Sequence, residues 1–259
     1  MKTNRFGILT LLIFLFALKL PAQDYKIAAP TGRDGKVILK NFSGPLPVEG
    51  YQGNEILVSS TEGKPETPER ARGLKPVYPG GTDNTGLGLS VQKEGNTVMI
   101  TCLLPFTRSS GYSLRIPENL SIELESGCEY SNSVSITGIK NEIAIKSCHG
   151  IDLKNITGPV VLSSISGDIN ISFGSTISDK TSSINAISGD VDITLPSKTQ
   201  VSIDLSTING AFYSDFDIAD TQKNMKRIGG NNLNFDLNGG GFKFDIVTVS
   251  GNVYLRKGM

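Results

Sequence analysis

Tryptophan is absent from this chain and histidine occurs once, at His149. A Ser-His-Asp or Cys-His device would have to be built around that one imidazole. Its sequence neighbour Cys148 is badly placed to join it, because adjacent residues of a strand point to opposite faces. A histidine-based zinc site lacks a second His, and Cys102, Cys128 and Cys148 are 26 and 20 residues apart, which are not metal-ligand spacings. His149 therefore reads as a turn residue in "SCHG". Three cysteines allow at most one internal bridge. That is no disulfide scaffold, so ordinary packing must hold the fold. Cys128 and Cys148 could bridge, but two cysteines on neighbouring turns of a repeat also pack as small hydrophobes, and the packing reading is preferred.

Two further absences narrow the class. No window carries an apolar stripe at helical spacing. No excess of basic charge is present either, since Lys and Arg number 25 against 25 Asp and Glu. Residues 1–22 have the order of a secretory leader: cationic Lys2 and Arg5, the apolar run "ILTLLIFLFALKL", then Ala22 before Gln23. The run is shorter than the ~20 residues that span a bilayer, and Lys19 interrupts it. Its removal takes away three cations, leaving 22 against 25 acids. A slightly acidic exported chain has no electrostatic reason to bind nucleic acid or an anionic membrane, and no transmembrane segment is expected once the leader is gone.

What the chain does have is short strands. "KVILKNF", "EILVSS", "LGLSVQK", "TVMITC", "YSLRIP" and "LSIELE" cluster β-branched residues between turn formers, as 29 Gly and 12 Pro would require. From about Ser126 one phrase recurs, apolar–x–Gly–x–apolar–x–apolar: "ITGPVVL", "ISGDINI", "ISGDVDI" and "VSGNVYL", with looser copies "INGAFYS" and "IKNEIAI". The Gly-type positions fall at 141, 150, 158 and 167, then at 189, 210 and 251. A strand-and-turn unit of about nine residues is thus nested in a circuit of about 21. Repeats of this length without helix mark an all-β parallel β-solenoid, a β-helix expected to be right-handed, with equivalent residues stacked ~4.8 Å apart. Ile165, Ile187 and Ile208 should form one apolar ladder, and Ile169, Val191 and Phe212 another. Gly167, Gly189 and Gly210 should stack at a corner needing positive φ or close approach. The rival is an antiparallel sandwich, which would favour Asn-Gly or Asp-Gly hairpins between its strands; here the order is Gly-Asp, inside the phrase.

The expected organisation is a leader at 1–22, irregular N-terminal strands over 23–125 with a long loop at 61–86, and solenoid repeats over 126–259. "NLNFDLNGGGFKFDI" reads as a hairpin at 232–246 covering the end of the stack. A loop as long as 61–86 is either functional or flexible.

Taken together, "VEGYQGNEILV", "RGLKPV…DNTGLGLSV", "LRIPENLSIELES", the "ISGDINI" repeats and "VDITLPSKTQVSIDLSTINGAFYSDF" resemble the DUF4097 group of exported bacterial proteins, from about Lys36 to Arg256. The resemblance implies a β-helical fold and a surface or periplasmic role as a candidate adhesin. It supplies no catalytic motif.

Chemistry is sparse. Calcium-binding β-rolls use Gly-Gly-x-Gly-x-Asp turns, but at Asp168 and Asp190 the double Gly is missing and the Asp directly follows a single Gly, and "GGNNLNFD" has Asn where the third Gly should be. Asp as a turn former accounts for both. A carbohydrate-active β-helix enzyme, a polysaccharide lyase or hydrolase, is the alternative function. It would need converging carboxylates, and Asp190 with Asp192 or Asp215 with Asp217 offers only local pairs. No aromatic platform for sugars is visible. No catalytic, cofactor-binding or metal residue is assigned and no cofactor is expected. The reading is a non-enzymatic exported scaffold whose partner is a protein or glycan at the cell surface. The mature chain should begin at Gln23; mass spectrometry of the exported form would find that terminus, and a retained Met1 would refute it.

Overall fold

The structure is a computed structural model describing residues 23–32, 34–60, 68–74, 76–105, 111–130, 133–218, 226–227 and 231–258. The expected leader at 1–22 lies outside the described residues, as do 61–67 and 75 of the long loop. Apart from one 3₁₀ turn at Glu69–Ala71, the regular elements are strands.

In chain order these are β1 (Gln23–Ala28), β2 (Lys36–Lys40), β3 (Leu46–Tyr51), β4 (Glu55–Ser60), β5 (Leu89–Glu94), β6 (Thr97–Cys102) and β7 (Tyr112–Pro117). Then come β8 (Ser121–Glu125), β9 (Val134–Thr137), β10 (Ile143–Ser147), β11 (Ile151–Ile156), β12 (Val160–Ser166), β13 (Ile169–Phe173), β14 (Ser182–Ser188) and β15 (Val191–Pro196). The last are β16 (Val201–Asn209), β17 (Phe212–Ser214), β18 (Lys226–Arg227), β19 (Asn231–Leu237), β20 (Phe242–Ser250) and β21 (Val253–Gly258).

They form two sheets. Sheet A runs β1-β4-β7-β3-β9-β11-β13-β15-β21-β17, and sheet B runs β18-β19-β16-β20-β14-β12-β10-β8-β2-β6-β5. Eight consecutive strands of each sheet, β7 to β17 in sheet A and β16 to β6 in sheet B, are parallel to one another, and the two sets match coil by coil. The coil order is β6/β7, β2/β3, β8/β9, β10/β11, β12/β13, β14/β15, β20/β21, β16/β17. The fold is a flattened, two-sheet β-solenoid. Position 126 is no boundary within it, because β8, ending at Glu125, already pairs in parallel with β2 and β10.

Why these residues stack is visible in the register. One column of sheet B reads Ile100, Leu39, Leu124, Ile145, Leu162, Ile184, Ile246, Leu205, one residue per coil. Facing it in sheet A are Leu114, Val48, Ile136, Leu153, Ile171, Ile193 and Leu255. All are buried, each worth about 1.5–3 kcal/mol of transfer free energy. The expected Ile169–Val191–Phe212 ladder is also there, with Val253 inserted between Val191 and Phe212.

Three expectations change. First, Ile165, Ile187 and Ile208 stack, again with a C-terminal residue, Val249, between the last two, but they face outward and are 48%, 53% and 64% exposed. The period-2 alternation does not carry through the corner. Gly167 and Gly189 take φ of +100° and +118° there, so parity slips by one. Ser164, Ala186, Thr248 and Thr207 become the buried neighbours, small enough for a narrow corner.

Second, coil order departs from chain order at the C-terminal end: Gly251, not Gly189, lies next to Gly210. A Cβ built on Gly210 would sit 2.0 Å from the Gly251 carbonyl oxygen, one on Gly251 2.0 Å from that of Gly189, and one on Gly189 2.4 Å from that of Gly167.

Third, 232–246 is not a hairpin. β19 and β20 both pair with β16, antiparallel and parallel respectively, and not with each other. Asn238, Gly239 and Gly240 all have positive φ, and the Asn238 amide donates to the Ser197 and Thr199 carbonyls at 3.2 and 2.7 Å. The connection is thereby laid across the start of β16 instead of closing a tight turn. The other end repeats the device: β3 and β4, joined by residues 52–54, flank β7.

Cys128 and Cys148 are bridged, with Cα atoms 5.1 Å apart, which corrects the preference for two packed thiols. They follow β8 and β10, adjacent strands of sheet B, so neighbouring coils bring the two side chains together at one corner. Cys102 is buried outside the bridge.

Replacing Gly189 by Val combines a left-handed φ with a backbone clash. Strain of that kind costs on the order of 1–3 kcal/mol before any clash is counted. Ser183, on the outer side of β14, should tolerate Val. Denaturant melts of the two variants should rank Gly189→Val as less stable by about 2 kcal/mol or more, and equal midpoints would contradict the stacked corner.

Candidate functional site

The residues that could carry chemistry are tied into the scaffold. The Cys148 thiol is spent in the bridge. His149 sits at the corner, where its backbone N–H donates to Ser147 Oγ at 3.0 Å and its carbonyl accepts from Ser164 Oγ at 3.3 Å. Its Nε2 is buried without a partner among the described residues.

The repeated Gly-Asp phrase has a structural use. Asp168 Oδ1 accepts from the Asp190 N–H at 2.8 Å, Asp190 Oδ1 from the Asn252 N–H at 2.7 Å, and Asn252 Oδ1 from the Ala211 N–H at 3.0 Å. Each coil thus caps the backbone of the next. Among the described residues no group of three or more His, Cys, Asp and Glu is placed to hold a metal ion.

The suspected carboxylate pairs are tied to neighbouring groups of the scaffold. Asp192 is gripped by Arg256 through Nε at 2.8 and 2.9 Å and Nη2 at 2.7 Å. This bond, with the Coulombic attraction behind it, raises the guanidinium pKa above its ordinary value. Asp215 Oδ1 accepts from the Lys257 N–H at 2.7 Å, and Asp217 is exposed two residues on.

Two surface features do assemble. On sheet B, Ile165, Ile187, Val249 and Ile208 make an exposed column, and Val161 and Val247 lie on the same face. Beside it runs a groove of about 340 Å³ lined by Glu123, Glu125, Ala144, Lys146, Val161 and Ser163, with Asn185. Six of the nine large apolar side chains exposed among the described residues lie on this face, a concentration that marks interaction surfaces more often than chance exposure does.

On sheet A, β15, β21 and β17 align Asp192, Tyr254 and Tyr213 in one row. The two tyrosine rings stack, with centroids 5.2 Å apart and planes 12° from parallel, and Arg256 lies 5.5 Å over the Tyr254 ring. A recess of about 210 Å³ is lined by Tyr213, Ser214, Asp215, Tyr254, Leu255 and Arg256. Stacked in chain order the coils keep these tyrosines apart, so no aromatic platform is visible in the sequence. The signal was present nonetheless: "INGAFYS" and "VSGNVYL" put Tyr213 and Tyr254 at the same place in the phrase.

The long loop ends in a built turn. Burial pushes the Asp83 carboxyl up, but the N–H groups of Thr85, Gly88 and Gly86 and the Thr85 hydroxyl outweigh it and hold its pKa below the ordinary value. Those bonds are 2.8 to 3.0 Å long. The Asn84 amide then pairs with both backbone groups of Val91 on β5, at 2.7 and 2.9 Å. The motif "DNTGLG" thus covers the edge of sheet B.

What emerges is a rigid, repeat-built scaffold with ordered outer faces, a class defined by its surface more than by any reacting group. The chain belongs to the Toastrack DUF4097 family, matched over residues 26–256. A candidate cell-adhesion protein from Clostridium sporogenes is similar in fold, with a TM-score of 0.50 at 13% identity over 92% of this chain and 100% of that one. A candidate adhesin from Bacteroides fragilis aligns over 91% of this chain and 95% of its own, at 9% identity and a TM-score of 0.38. No curated protein matches the chain. No helix among the described residues is long and apolar enough to cross a membrane.

A carboxylate held below its ordinary pKa stabilises the fold at pH above the unfolded-state value of about 3.9, and that contribution fades as pH falls through the folded value. Asp83→Asn should therefore lower stability at pH 7 by about 1 kcal/mol, with the gap to wild type closing as the pH falls below the ordinary carboxylate range. Melts at pH 7 and below that range would show it; a gap independent of pH would assign the loss to packing.

Proposed function

We propose that this chain is a non-enzymatic, exported protein of the periplasm or cell surface that works as a binding scaffold of the adhesin kind. The observation that carries the reading is the exposed column Ile165–Ile187–Val249–Ile208 on a flat sheet. Large β-branched side chains held in register on a rigid backbone lose little entropy when covered. They sit on a surface whose carboxylates are already engaged, which favours contact over turnover. The family membership and the likeness to a candidate cell-adhesion protein support the same class. A right-handed coil is part of this reading, since parallel β crossovers take that hand in about 98% of cases.

Beads coated with the exported chain should adhere to whole cells. Ile187→Asp combined with Ile208→Asp should leave the melting midpoint unchanged and reduce adherence at least about fivefold. Release of unsaturated or reducing sugar ends from a polysaccharide panel by the wild-type chain would overturn the non-enzymatic reading in favour of a carbohydrate-active enzyme.

A further inference from the structure

The outer face of sheet A at its C-terminal end carries an arrangement that neither the family nor the apolar column explains. Asp192, Tyr254 and Tyr213 stand in one row of side chains, and Arg256, two residues beyond Tyr254 on β21, reaches back to Asp192. The salt bridge holds the guanidinium 5.5 Å from the Tyr254 ring centre, and Tyr213 stacks on that ring. The stack ends at Tyr213, which is 54% exposed and lies on β17, the last strand of its sheet among the described residues. An aromatic ring fixed in orientation by the layers behind it presents a flat apolar face at low entropic cost. Polar capacity surrounds that face. Among the described residues the Tyr213 hydroxyl donates to no partner, and only Oδ1 of Asp215 and only Nε and Nη2 of Arg256 are engaged.

We infer that this end of the sheet is a binding site for one residue of a neutral glycan, seated with a C–H face of its pyranose ring on the open face of Tyr213 and its hydroxyls meeting Asp215. Size, charge and polarity select that class. At about 210 Å³ the recess is smaller than the roughly 300–1,000 Å³ clefts that enclose whole small molecules, so it fits one unit of a longer chain lying across the face. Arg256, the one cation of the lining, is already held by Asp192, and Asp215 keeps one carboxylate oxygen open, which disfavours uronic acids and other anionic sugars. A purely aromatic or aliphatic ligand would leave the polar rim unpaired, at a desolvation cost. The inference goes beyond the scaffold reading and uses the opposite sheet, so the two stand or fall on different data.

Because the chain lacks tryptophan and has seven tyrosines, tyrosine fluorescence can follow the site directly, alongside isothermal titration. The probes are chitohexaose and cellohexaose as neutral glycans and an oligogalacturonate as an acidic one, added to the exported chain. At least one neutral probe should bind and perturb the fluorescence. Tyr213→Ala should weaken it about tenfold, while Tyr213→Phe, which keeps the ring, should stay within about threefold. Tyr213 is exposed on an edge strand, so both variants should melt with the wild type; a variant that melts lower is replaced by Asp215→Asn, which should weaken the same probe about threefold or more. No binding of either neutral probe, preference for the acidic one, or a Tyr213→Ala chain that binds as wild type does would each overturn the inference. Loss of adherence in the Ile187 and Ile208 double variant with glycan binding intact would leave it standing.

Discussion

The closest constraint in this molecule is backbone against backbone at the corner that follows β12, β14, β20 and β16. There the chain must leave one sheet and enter the other while passing the preceding coil so closely that a single methyl group would overlap a carbonyl. Glycine satisfies the space, and at Gly167, Gly189 and Gly251 it also satisfies the sign of φ. The next residue, Asp168, Asp190 or Asn252, spans to the following coil's N–H, so the tight passage is also a bonded one. The apolar columns depend on this corner, because it fixes the height of each coil and hence the register in which Leu and Ile meet.

The same corner explains what could be read in advance and what could not. The repeat spacing and the identities of Gly and Asx revealed the coil, since both are consequences of a turn made the same way each time. The interior of sheet A was legible too, as the positions after the corner, Ile169 and Val191, keep strict alternation within one strand. Ile165 and Ile187 form the expected apolar ladder but on the outer face, because a positive-φ glycine resets which side is inside. Local patterning has no access to that reset.

Coil order was the other hidden quantity. The Gly positions rise from 189 through 210 to 251, yet the final strands return between earlier ones. Nothing in the period distinguishes stacking beyond a coil from insertion before it, and the tyrosine pair on sheet A escaped notice for that reason alone. The capping turn at Asp83 was likewise hidden in a polar loop, although its Asp, Thr and glycines are the residues such a turn needs.

The inserted position of β20 and β21 has a consequence for how the chain folds. In chain order β16 and β17 precede β20 and β21, the strands they finally stand beside, and the edge of β14 and β15 is one that β16 matches in alternation. Direct stacking of the two would satisfy most hydrogen bonds and bury the same kinds of side chain, leaving residues 242–258 without a slot. The native order therefore requires that gap to be kept open, or reopened, until the last strands arrive. Assembly at this end becomes a competition between early closure and late insertion, with long sequence separations setting its pace.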